Sequence, residues 1–229
     1  GQTARANAAE HQRTAVIALI DYKAGNLTSV RKAFAAIGAD LYDPASPTDL
    51  DRASAIIVPG VGHFGATAAL DRGWAAAIRA RVAAGRPLLG ICLGLQWLFG
   101  GSEEAPDCPG LGLLPGTCYR LRGAAAEGAG VINRGVGAPG VIKVPHVGWN
   151  SLAIEQAAPI VAGVANGSQV YFTHSFVAPV TDDTVAVTEH GEPFAAIVQR
   201  GHIAGVQFHP EKSGDVGLRV LRNFVQLVA

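Results

Sequence analysis

Two short stretches, far apart in the chain, hold the side chains that could do chemistry. In the first, Gly90-Ile91-Cys92-Leu93-Gly94, a cysteine stands between two glycines. It closes an apolar run, Pro87 to Ile91, that reads as a buried strand, and a helical pattern follows through Gln96 and Phe99. Such a strand–elbow–helix turn lifts a nucleophile above the edge of a sheet. Glycines there permit a sharp turn and close backbone approach, and a helix N-terminus under the thiol favours thiolate over thiol. Taken alone, the motif also suits a buried cysteine between two packing glycines. In the second stretch, Gly205-Val206-Gln207-Phe208-His209-Pro210-Glu211, a buried apolar strand is expected to end at a histidine. Glu211, two residues on, can return its carboxylate to the ring, set its tautomer and stabilise the imidazolium. That pair alone could equally be a strand-end histidine bridged to its neighbour. Together, Cys92, His209 and Glu211 make a nucleophile, a base and an orienting acid.

The elements that must position them follow an α/β pattern. Strands are expected at Val16–Ile20, Ala39–Tyr42, Ala55–Val58 and Pro87–Ile91, with helices between them near Asn26–Ile37, Gly65–Leu70 and Trp74–Ala84. Ala55–Val58 is purely aliphatic, as a strand covered on both faces requires. It runs into Pro59-Gly60-Val61-Gly62, whose peptides are free to rotate and point an N–H at a ligand. After Phe99 comes a loop with an acidic pair, Glu103-Glu104, which would ordinarily be a solvated surface. From Val141 onward the pattern is β-rich, and the chain closes with an amphipathic helix near Gly214–Leu227. One domain over 14–229 is expected.

Composition narrows the partners. The 229 residues are 49% hydrophobic, enough for a sizeable core, and no apolar run reaches the length of a membrane span. Lys+Arg and Asp+Glu both number 18, so neither a nucleic-acid footprint nor a charged membrane surface is expected. Cys92, Cys108 and Cys118 are too few and too irregular for a disulfide framework or a zinc site. No metal and no cofactor is expected, and a reducing cytoplasm fits best. Residues 1–13 read as a polar, alanine-rich tail outside the fold, and the lack of methionine even at position 1 fits a chain that is not the whole translation product.

Gly-Ile-Cys-Leu-Gly-Leu-Gln with a late His-Pro-Glu resembles the class I, triad-type glutamine amidotransferases. The resemblance spans nearly everything from Thr14 to Ala229. Further stretches are similar to the amidotransferase subunits of imidazole glycerol phosphate synthases: Asp21-Tyr22 with Gly25 to Val30, Pro59 to Phe64, Pro145 to Asn150, Tyr171 to Phe176 and Gly205 to Ser213. The family implies a flavodoxin-like three-layer α/β fold, with a central mostly parallel sheet, helices on both faces and a β-rich second half. It implies Cys92 as nucleophile, His209 as base and then acid, and Glu211 as orienting carboxylate in the hydrolysis of L-glutamine. The backbone N–H of Leu93 and one from Pro59-Gly60-Val61-Gly62, Val61 first among them, would hold the oxyanion. Gln96 and Glu104 match positions that bind glutamine, Glu104 at its α-amino group, while Ser175 and Phe176 match positions whose backbone holds its α-carboxylate. The implied partner is a (βα)8-barrel synthase subunit in a heterodimer, met through Asn26, Trp149, Tyr171 and Lys212. The family usually has glycine after Asp-Tyr; with Lys23-Ala24 here, a less sharp turn is expected. Residues 123–140 form a longer excursion than usual. Alternatives are an amidotransferase of another pathway (anthranilate, nucleotide or pyridoxal phosphate synthesis), a stand-alone cysteine hydrolase and a non-catalytic binding subunit.

Overall fold

The computed structural model describes residues 16–122 and 142–228. The expected tail over 1–13 and the excursion over 123–140 lie outside the described residues.

In chain order the elements are β1 (Ile17–Leu19), α1 (Leu27–Ala36), β2 (Leu41–Tyr42), β3 (Ala55–Val58), α2 (Arg72–Ala83), β4 (Leu88–Ile91) and α3 (Leu93–Leu98). Then come β5 (Tyr119–Arg120), β6 (His146–Ser151), β7 (Ala153–Ile154), β8 (Gln169–His174), β9 (Phe176–Val177), β10 (Thr184–Glu189), β11 (Pro193–Arg200), β12 (Ile203–Val206) and α4 (Gly214–Gln226). One eight-stranded sheet has the order β2-β1-β3-β4-β12-β11-β10-β7. From β2 to β12 its strands run parallel, and β11, β10 and β7 add on antiparallel. The second half of the chain thus supplies β12 as the last parallel strand, directly beside β4.

Every residue of β3, β4 and β12 is buried, as the unbroken aliphatic runs require of strands covered on both faces. Alternate side chains feed two cores. Ile57, Leu89, Ile91 and Val206 pack with Phe34 of α1 and with Val220 and Phe224 of α4. On the other face, Ile56, Val58 and Leu88 pack with Ile78 of α2 and with Leu93, Leu95 and Leu98 of α3. Helices α1 and α2 start where short polar side chains cap them. Asn26 Oδ1 accepts the Ser29 N–H at 3.3 Å, and Asp71 Oδ1 accepts those of Gly73 and Trp74 at 2.8 and 3.1 Å.

Several expectations shift. The Gly65–Leu70 helix is a 3₁₀ stretch over Phe64–Ala69. His146–Ser151 is a strand that the pattern did not announce, paired with β8 so that Trp149 faces Tyr171 and His146 faces His174. β12 stops at Val206, short of His209. Beyond it the Gln207 N–H donates to the Ala196 carbonyl and the His209 N–H to that of Tyr171, each at 2.9 Å, so the chain leaves the sheet before it reaches the histidine. The Asp21–Gly25 turn is also as sharp as a glycine would make it. Lys23 itself takes the left-handed conformation, φ 65°, and the Asp21 carboxylate holds both its backbone N–H and its ammonium.

Candidate active site

Parallel pairing sets β4 and β12 level, with Ile91 opposite Val206. The next N–H, that of Cys92, donates to the Val206 carbonyl at 2.8 Å. Both chains then leave the sheet side by side, one carrying the thiol and the other the imidazole. Cys92 sits at φ 52°, ψ −106°, a conformation unfavourable to any residue with a Cβ. Its neighbours make the turn possible. A Cβ on Gly90 would come within 2.6 Å of the Gly94 carbonyl oxygen, and one on Gly94 would overlap the Val58 carbonyl. The two glycines let α3 press directly onto β3 and β4.

His209 is held from behind. His209 Nδ1 lies 2.8 Å from Glu211 Oε1, and both side chains are almost fully buried. Ser213 braces the turn, its hydroxyl donating to the His209 carbonyl at 2.7 Å and accepting the Tyr171 N–H at 3.0 Å. With Nδ1 engaged by the carboxylate, Nε2 is left buried without a partner among the described residues. Burial works against the charged ring, but hydrogen bonding and charge from Cys92 and Glu211 outweigh it and raise His209 to about 10. Cys92 has this effect although His209 Nε2 forms no hydrogen bond in this state, as is common before substrate tightens a site. Gln207 Nε2 approaches the Cys92 sulfur at 3.6 Å, while its Oε1 accepts from Gln96 at 3.2 Å.

The oxyanion side is arranged differently. The Leu93 N–H donates to the Gly60 carbonyl at 3.3 Å. One of the two expected donors is therefore occupied, and a carbonyl dipole points where an N–H should. Rotating the Gly60–Val61 peptide would remove that carbonyl and bring the Val61 N–H toward the site. Gly60 has to be glycine, because a Cβ there would overlap the Tyr22 hydroxyl and come within 2.8 Å of Leu93 Cβ.

A cleft of about 280 Å³ opens over the sulfur, lined by Gly62, Cys92, Leu93, Gln96, Glu104, Pro145 and Thr173 to Phe176. It gathers Gln96, Glu104, Ser175 and Phe176 from three separate regions. Glu104 Oε2 accepts the Phe64 N–H at 2.6 Å, which ties the acidic loop to the glycine segment. Gln96 Nε2 donates to the Phe176 carbonyl at 2.8 Å, so this side chain anchors β9 as well as lining the cleft. A larger cavity, about 570 Å³, is bordered by Leu70, Ala75, Trp97 and Cys108 and touches none of the triad.

Where β6 pairs with β8, Trp149 meets Tyr171 edge-on at 6.0 Å, and the Lys212 ammonium lies 5.7 Å over the Tyr171 ring. Val147 and Trp149 are each 57% exposed, and Val61 is 40% exposed. Asn26 caps α1, its Oδ1 accepting the Ser29 N–H. No cluster of His, Cys, Asp and Glu suited to a metal occurs among the described residues. Cys118 is buried, its thiol pushed up by that burial, and donates to the Gln96 carbonyl.

A family description, glutamine amidotransferase class-I, matches residues 18–227. The chain is 41% identical over 214 residues to the imidazole glycerol phosphate synthase subunit HisH of Methanothermobacter thermautotrophicus, covering 93% of this chain and 99% of that protein. It is 45% identical over 223 residues to the HisH subunit of Gloeobacter violaceus, covering 95% and 92%. The chain belongs to the class-I glutamine amidotransferases, in the HisH family. A chain of the solved PurLQS structure from Thermotoga maritima has the same fold, with a TM-score of 0.69 at 18% identity over 94% of this chain and all of that one.

This amidotransferase has site residues that its motifs did not announce. Gln207, bonded to Gln96, and Ser213, bonded to Tyr171, each work through a partner distant in sequence. Both had a local signal, since each stands within four residues of His209. Behind the cleft, His174 and His146 approach at 3.2 Å, and His146 stacks on His190 and Phe172. Burial, with His190, lowers His146 to about 4; burial, with His146, lowers His174 to about 3. Both rings are neutral at neutral pH, so this wall of the cleft adds polarity without charge.

Proposed function

We propose that this chain hydrolyses L-glutamine and passes the ammonia to a (βα)8-barrel synthase subunit, its partner in a heterodimer of histidine biosynthesis. The Cys92 thiolate attacks the side-chain amide carbon, and the carbonyl oxygen becomes an oxyanion held by the N–H groups of Leu93 and Val61. His209 gives its proton to the departing nitrogen as the C–N bond breaks, leaving a glutamyl thioester and ammonia. Water, with His209 now accepting its proton, breaks the C–S bond and frees glutamate. Gln96 and Glu104 hold the substrate, Glu104 at the α-amino group, and the Ser175–Phe176 backbone holds the α-carboxylate.

One observation carries this reading: Cys92 and the 2.8 Å His209–Glu211 pair converge where two adjacent parallel strands end, above a cleft of amino-acid size. The shared eight-stranded sheet supports a single domain over 14–229. Exposed Val147 and Trp149 on β6, with Tyr171 and Lys212 beside Trp149, suit a partner that seals the cleft and keeps ammonia from protonation in water. In the synthase, ammonia would join a ribulosyl-formimino ribonucleotide to give imidazole glycerol phosphate and an aminoimidazole carboxamide ribonucleotide. No helix among the described residues is long and apolar enough to cross a membrane, and a cytoplasmic setting fits three unpaired cysteines.

Glutamate release with and without the barrel subunit and its nucleotide tests the proposal. Release stimulated by the partner and abolished in Cys92→Ala is expected. Strong release without a partner would favour a stand-alone hydrolase, and none under either condition a binding subunit.

A further inference from the structure

Tyr22 carries a polar group that the reaction just described does not use. The residue is only 6% exposed, and its hydroxyl is buried with no hydrogen-bond partner among the described residues. An unsatisfied phenol is an unusual thing to bury, since a Phe ring would fill the same space without stranding a donor. Its position is specific. The hydroxyl lies against Gly60 so closely that a Cβ on that glycine would overlap it. The same loop brings Gly25 up to Gly60, where a Cβ on Gly25 would stand 3.6 Å from the Gly60 Cα. Lys23 in the left-handed conformation and its clamp on Asp21 fix the loop that carries the ring.

Two polar groups at this point have complementary needs. In the present state the Gly60 carbonyl is satisfied by the Leu93 N–H at 3.3 Å, and the Tyr22 hydroxyl has nothing. Opening the oxyanion site requires that carbonyl to leave Leu93, and it then becomes a buried acceptor in need of a donor. We infer that Tyr22 is a positioning residue for the oxyanion peptide: its hydroxyl donates to the Gly60 carbonyl once the peptide has turned, and so holds Leu93 and Val61 free for substrate. Burial and the nearby Cys92 charge both raise the phenol above its ordinary pKa, so it stays protonated and able to donate. The role rests on the proposed glutaminase reaction and acts through the backbone of Gly60, not on substrate.

The test is Tyr22→Phe in the complex with the barrel subunit, assayed with glutamine and the synthase nucleotide. Loss of a support for one oxyanion donor should lower stimulated kcat about tenfold and leave KM for glutamine unchanged. Alkylation of Cys92 by iodoacetamide, which needs no oxyanion donor, should keep its wild-type rate, and the melting temperature should not fall. Replacement of Tyr22 by p-aminophenylalanine, which restores an N–H donor, should recover most of kcat. Wild-type kcat in Tyr22→Phe overturns the inference, as does a loss in kcat matched by equal losses in alkylation rate and stability. A wild-type complex without stimulated glutamate release would instead refute the underlying reaction, and the inference with it.

Discussion

The two sides of the cleft differ in readiness. On one, Cys92 is fixed in a strained elbow, His209 and Glu211 are in contact, and Ser213 braces the turn between them. On the other, Leu93 is bonded to the Gly60 carbonyl, so the stabilising donors are not assembled. The built side depends on buried strands, a helix packed through Gly94 and a doubly hydrogen-bonded turn, none of which moves cheaply. The unbuilt side depends on one peptide plane beside a glycine, which turns without rearranging the core. A nucleophile kept ready and a transition-state site kept closed allow control of turnover without control of the thiol. That suits an enzyme whose useful product is ammonia for another subunit.

Substitutions on the built side should have the largest effects. Cys92→Ala removes the nucleophile and should lower stimulated glutamate release by about 10⁵-fold or more, to the background of the assay. Glu211→Gln removes the carboxylate that orients and charges His209, and kcat should fall about 10³-fold with little change in KM. Its stability should report the same loss. His209 is raised from an ordinary value near 6.5 to about 10, so this contribution is fully present below pH 6.5 and disappears as pH rises through about 10. The gap in urea midpoint between wild type and Glu211→Gln should therefore be widest near pH 6 and narrow toward pH 10.

The unbuilt side is sharpened by Gly60→Ala. The new Cβ would meet the Tyr22 hydroxyl and Leu93 Cβ and hinder rotation of the peptide. Stimulated turnover should drop about 10²-fold, while iodoacetamide still labels Cys92 at close to the wild-type rate. Equal loss of both would mean that the two sides are not separable. On β6, Trp149→Ala should weaken docking of the barrel subunit by about 2 kcal/mol, close to thirtyfold in Kd. Calorimetry of the two subunits measures it, and unstimulated glutamate release should hardly change.

How much of this could be read beforehand follows the same division. The strands that lead into the triad were legible because buried parallel strands are aliphatic throughout, as in Leu88–Ile91 and Ile203–Val206. Cys92 between Gly90 and Gly94 was legible because the elbow needs both glycines for close contact. β6 escaped notice because its large apolar side chains, Val147 and Trp149, lie on its exposed face, and its hydrogen bonds come from β8, well along the chain. Tyr22 gave no local sign of the role inferred for it, since Gly60 is brought to it only by the fold. Lys23 was misread for a related reason. The left-handed conformation usually calls for glycine, and here the Asp21 carboxylate supports a lysine instead. The direction of the Gly60 carbonyl has no counterpart in residue type at all.

The difference between the two sides is tested most directly by two rates measured on one preparation, with and without the barrel subunit and its nucleotide. One is iodoacetamide labelling of Cys92 in the absence of glutamine, and the other is glutamate release. A ready nucleophile with a closed oxyanion site predicts that labelling stays nearly constant while glutamate release rises by about two orders of magnitude, the scale of one oxyanion donor. A rise of labelling in step with turnover would contradict it, because activation would then be acting on the thiol.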